Sequence, residues 1–127
     1  MKFDEKVPPR EFKVGVKQDI VLKDMGEICL EPNEQVTFKT DDGKEYDFVK
    51  KEWGFYASPS LNSRLKRFNL RSVLIKNRET NNYFFLVVEK GKEEAFYDYL
   101  EEENLILVTW MDEDEVLQSL DKKLNSN

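Results

Sequence analysis

The stretch from Trp53 to Arg71 gathers the side chains best suited to hold a ligand. Trp53, Phe55 and Tyr56 offer aromatic faces that stack on a base or a sugar ring. Ser58 and Ser60 flank Pro59 in the pattern of a helix start, where backbone N–H groups favour an anion. Asn62 adds an amide, and Arg64, Arg67 and Arg71 supply guanidinium forks that match phosphate or carboxylate. Trp53, Tyr56, Ser58, Ser60, Asn62, Arg64, Arg67 and Arg71 therefore form the candidate binding surface for a phosphate-bearing sugar or nucleotide. Each part also has a plain structural use. A serine caps a helix, aromatics cover a core beneath a loop, and cations coat a solvated face. Only their coincidence points to a ligand.

Charge is divided unevenly around that stretch. Six basic and no acidic residues lie between Trp53 and Arg78, and eleven acidic and no basic ones between Glu93 and Asp121. The whole chain carries a net charge of −6. The two blocks either face and screen one another, or sit on solvated faces, or leave the basic one open to an anion. The overall acidity argues against a nucleic-acid footprint, which needs a broad basic face.

Several chemistries are excluded by composition. There is no histidine, so neither a Ser-His-Asp nor a Cys-His pair can form. Cys29 alone supplies no disulfide, zinc site or CxxC redox pair, and reads as a small core residue. The five glycines are isolated, which removes phosphate-binding GxGxxG and GxxxxGK[ST] loops. No metal site and no resident cofactor are expected. Asp47, Glu52 and Tyr56 lie near the basic stretch as acid–base candidates, yet no spacing singles out a pair. The reading leans away from an enzyme. No apolar leader or membrane-length run is present, and one free cysteine fits a reducing compartment, so a cytoplasmic protein is expected.

The elements that must position the candidate surface follow from periodicity. Residues 1–10 end in Val7-Pro8-Pro9-Arg10 and read as a loose arm. Phe12, Val14 and Val16 alternate as in a strand, and Ile20–Leu22 and Ile28–Leu30 are short apolar runs about a turn at Asp24–Glu27. Residues 35–50 form the clearest hairpin. A three-residue loop Asp41-Asp42-Gly43 opposes Phe38 to Tyr46 and Val36 to Phe48, giving one apolar face. A short helix is predicted over 59–68, capped by Ser58 and ended by a left-handed Asn69.

Ser72–Ile75 and Tyr83–Val88 read as central strands covered on both faces. One main amphipathic helix spans about 92–103, with Phe96, Tyr99 and Leu100 on its apolar face. Leu105–Trp110 follows as a strand, able to run parallel to Tyr83–Val88 through a helical crossover. A short helix near 113–121 leads to a frayed tail at 122–127. The sum is one α+β domain over 1–127 with a mainly antiparallel sheet.

The run Trp53-Gly54-Phe55-Tyr56-Ala57-Ser58-Pro59-Ser60-Leu61-Asn62-Ser63-Arg64-Leu65, with Ser72–Asn77 and Glu89–Glu93, resembles small uncharacterised bacterial proteins encoded beside surface-polysaccharide and nucleotide-sugar genes. The likeness spans roughly residues 53–112. It implies a setting in glycan assembly and carries no catalytic residue. The function expected is an accessory binding protein for a phosphate-bearing sugar or nucleotide. The alternatives are a protein-interaction subunit or homodimer and a histidine-free enzyme of glycan metabolism.

Overall fold

The computed structural model describes residues 1–126. The protein is α+β with mostly antiparallel strands, and its chain divides into two compact units. The first holds residues 1–37 and 47–57, and the second holds residues 38–46 and everything from Ser58 onward.

The first unit is built on a long hairpin of β1 (Lys2–Val14) and β2 (Ile20–Cys29). The N-terminal segment is thus a strand, not a loose arm. Its pairing slips between Glu5 and Arg10, and Pro8 and Pro9 fall inside that slip. No ladder N–H is needed there, so the prolines interrupt nothing. The expected turn at Asp24–Glu27 is instead continuous β2. It carries Gly26 opposite Glu5 at φ +144°, where a Cβ would collide with the Asp4 carbonyl oxygen. The actual reversal is at Gly15–Gln18, closed by the Gln18 N–H to the Gly15 carbonyl at 3.1 Å.

Register places Phe3 and Ile28, Phe12 and Leu22, and Val14 and Ile20 as facing pairs on one side of this hairpin. Phe3, Leu22 and Ile28 remain 53%, 43% and 45% exposed. Cys29 is exposed too, so it is not the core residue its apolar neighbours imply.

The second hairpin joins β3 (Gln35–Lys39) to β4 (Glu45–Lys51), and β5 (Gly54–Tyr56) adds to β4. The Thr40 N–H donates to the Lys44 carbonyl at 3.0 Å, and Gly43 takes φ +89°. This is the three-residue loop expected from the opposition of Phe38 to Tyr46. In the first unit, Phe48 packs on Phe55 with ring centroids 5.0 Å apart. Trp53 and Tyr56 meet edge-on at 5.7 Å.

The second unit contains every buried side chain described. Its sheet runs in the order β7 (Tyr83–Glu89), β6 (Leu70–Asn77), β8 (Leu105–Trp110), with both outer strands antiparallel to β6. The last strand therefore does run parallel to Tyr83–Val88, one strand away. Asn77 closes the β6–β7 turn by accepting the N–H groups of Glu79 and Thr80 on its side-chain oxygen at 2.9 and 3.1 Å.

On one face, Val73, Ile75 and Val88 pack with Phe96 and Leu100 of α2 (Glu93–Glu102). Leu86, Leu105, Leu107 and Trp110 surround them. A buried side chain of this size contributes about 2 kcal/mol. The other face is only partly covered: Tyr83 and Phe85 stay 59% and 44% exposed. Two-sided burial, expected from the apolar runs, holds for β6 alone.

The helices differ in detail from expectation. The helix expected over 59–68 is confined to α1 (Arg64–Arg67), which buries Leu65 completely. Asn69 does end it in the left-handed region, at φ +57°. The last helix, α3, runs Asp114–Leu124 and has eleven residues against ten in α2. Residues 122–124 of the expected frayed tail are thus helical, and Asn127 lies outside the described residues. Among the described residues, no helix is long and apolar enough to cross a membrane.

Candidate functional site

The eight residues expected to form one surface do not all belong to one unit. Trp53 and Tyr56 lie in the first and are 69% and 57% exposed. Ser58, Ser60, Asn62, Arg64, Arg67 and Arg71 lie in the second.

Within the second unit, most of these groups serve local structure. Ser58 donates its hydroxyl to the Pro59 carbonyl at 2.8 Å and caps no helix. The N-cap position is Ser63, which makes no side-chain capping bond; the Ser60 hydroxyl oxygen accepts the Arg64 N–H at 2.8 Å from the turn before it. Asn62 donates its amide to Asp114 at 2.9 Å, which ties the α1 approach to the start of α3. Arg64 lies over the Phe68 ring at 5.0 Å. Arg67 is exposed and has no carboxylate partner among the described residues.

Arg71 is the one candidate at the centre of a constructed site. Its position on β6 turns the guanidinium toward the start of α2 and the residue pair that follows β8. Nε and Nη2 donate to the two oxygens of Asp112 at 2.7 and 3.3 Å, and Nη1 donates to Glu93 at 3.3 Å. The guanidinium carbon sits 3.8 Å from the centroid of the Trp110 ring. Asp112 is only 2% exposed.

Such a forked, stacked arrangement is one that lysine could not reproduce. Asp112, then Glu93, holds Arg71 above the usual guanidinium range. Backbone N–H groups of Glu93 and Gly91, and then Arg71, hold the Glu93 carboxyl below its usual value.

A cleft of about 370 Å³ opens beside this cluster. Lys66, Arg71 and Lys90 line it together with Glu93, Asp112 and Glu113. Three cations face three carboxylates, so the cleft has no net charge of its own. Arg71 is committed to the chain's own acids. Lys66 and Lys90 are exposed and have no carboxylate partner among the described residues.

Sequence reasoning missed Glu93, Trp110 and Asp112. Glu93 falls at the start of the expected helix and Asp112 between the last strand and the expected short helix, and neither position marks a partner for Arg71. Forty-one residues separate Arg71 from Asp112, and no short-range spacing reports such a pair. The only available signal was the contrast between the basic and acidic blocks, and at Arg71 the reading in which they face each other is the one observed.

A second charged cluster sits at the hairpin tip. Lys44, 13% exposed at its side chain, bridges Asp42 and Glu89, the latter at 3.2 Å. Glu89 also meets Lys92 at 3.2 Å. Lys44 and Thr40 bring the Asp42 carboxyl down to about 2. Lys44, then Lys92, lowers Glu89 as well. These groups anchor residues 38–46 within the second unit.

The chain matches no family model, no curated protein and no solved structure.

Proposed function

We propose that this protein is a non-catalytic accessory module that works by docking on another protein chain through its first unit. The observation that carries this reading is the absence of any buried side chain among the residues of that unit. Its main hairpin nevertheless presents Phe3, Phe12, Val14, Ile20, Leu22 and Ile28 on one face. An isolated two-stranded ribbon is marginal in water and needs a further layer over its apolar side. Covering the exposed parts of Phe3, Leu22 and Ile28 would contribute about 1 kcal/mol each.

Site-specific photocrosslinking in native cells tests the proposal, with probes on the two faces of the hairpin: Leu22 forms an adduct and Lys23 does not.

A second reading keeps the ligand. Lys66 and Lys90, unpaired at the rim of the cleft, favour an anionic group such as a phosphate-bearing sugar or nucleotide. A nucleotide sugar at one hundred times its Kd then stabilises the fold by about 2.7 kcal/mol. The rise in Tm disappears in Lys66→Ala/Lys90→Ala. No rise across UDP- and CMP-sugars removes this reading and leaves the first untouched.

A further inference from the structure

We infer that α3 is a two-fold contact between two copies of this chain, an inference that rests on the interaction reading above. No residue of this eleven-residue helix is buried. Leu120 and Leu124 are 40% and 74% exposed. A hollow of about 340 Å³ runs along the helix, lined by Thr109, Glu115, Val116, Ser119, Leu120 and Lys123. Thr109 continues the apolar surface inward, since register aligns it with Leu74 and then with the exposed Phe85.

The charge pattern selects the occupant. The first turn of α3 is acidic, with Asp114 and Glu115, and the last is basic, with Lys122 and Lys123. Positions 115, 119 and 123 share one flank of the helix, four residues apart. Glu115 and Lys123 are separated along the axis by about 12 Å, too far to pair with each other. Neither has an ionic partner among the described residues.

A helix of this kind is complementary to its own reverse. In an antiparallel pair, Glu115 of each copy meets Lys123 of the other, and Ser119 meets Ser119 at the axis. The apolar row is self-complementary about a centre one residue, about 1.5 Å, further along the helix: Leu120 packs near Leu120, and Val116 near Leu124. A two-fold interface demands this reciprocity, in which residue i meets j and j meets i. A parallel pair would instead set like charges together at both ends.

Light scattering and sedimentation over a concentration series test the inference, using the full chain and two charge reversals. Wild type dimerises. Glu115→Lys alone and Lys123→Glu alone each place like charges together twice and weaken self-association by about tenfold. An equimolar mixture of the two variants restores wild-type affinity, because each supplies the charge the other lacks. That restoration also shows that both variants are folded. A wild-type chain that stays monomeric at every concentration overturns the inference. So does a dimer that neither reversal weakens, or a mixture no tighter than its components. If any of these occurs while the Leu22 crosslink persists, the second-copy assignment falls and the interaction reading stands.

Discussion

Replacing Asp112 by alanine is expected to lower stability by about 3 kcal/mol, read as a Tm about 10 °C lower. Asp112 is almost wholly buried and accepts both arms of the Arg71 fork. Its loss strands a guanidinium that is 22% exposed at its side chain, with only Glu93 at 3.3 Å to meet it. Removing one member of a buried pair costs far more than the pair itself contributes. The double variant Arg71→Met/Asp112→Leu is therefore expected to recover most of the loss, since it removes both charges and keeps volume against Trp110. A cycle in which the two single losses simply add would show that the pair is not coupled.

The second large effect is expected at Gly26→Ala. Its φ of +144° is a conformation that alanine resists, and the new Cβ would collide with the Asp4 carbonyl oxygen. The backbone of the facing strand cannot give way as a flexible side chain would. The substitution should cost about 2–3 kcal/mol, and the cost should fall on the first unit. Amide resonances of Lys2–Val14 and Ile20–Cys29 broaden or vanish, while those of Val73, Ile75 and Phe96 keep their positions. Gly91→Ala, where no atom lies near the added Cβ, is the control and should cost about 1 kcal/mol. Equal disturbance of both sets of resonances would contradict the division into two units.

Local chemistry was legible where it was decided locally. The three-residue loop at Asp41–Gly43 follows from which apolar pairs can oppose one another, and the structure has it. Asn69 ends its helix because a small amide side chain tolerates the left-handed region. The amphipathic stripe of Phe96 and Leu100 meets the sheet as its spacing requires. The length of the first hairpin was hidden by Pro8 and Pro9, which look like a break but occupy a register slip where no donor is missed. Gly26 looked like a turn residue, yet its role is the close approach of the opposite strand.

The site was less legible for a different reason. Arg71, Glu93, Trp110 and Asp112 come from β6, the start of α2, the end of β8 and the residue just beyond it. Only the order β7-β6-β8 brings them together. The aromatics Trp53, Phe55 and Tyr56 are exposed, as ring faces for a ligand would be. The phosphate-binding helix start, in contrast, reduces to the single turn Arg64–Arg67, which has no side-chain cap. Arg71 spends its hydrogen bonds within the chain, which shifts the weight of the functional reading from a bound anion to a docked protein.

That shift is tested most directly by photocrosslinking from the two faces of the β1–β2 hairpin in native cells. A photoreactive residue at Leu22 or Phe12 should give a discrete adduct of defined mass, while one at Lys23 or Lys13 on the opposite side gives none. Equal adducts from both faces, or no adduct from Leu22 and Phe12, would contradict docking through the apolar side of the first unit.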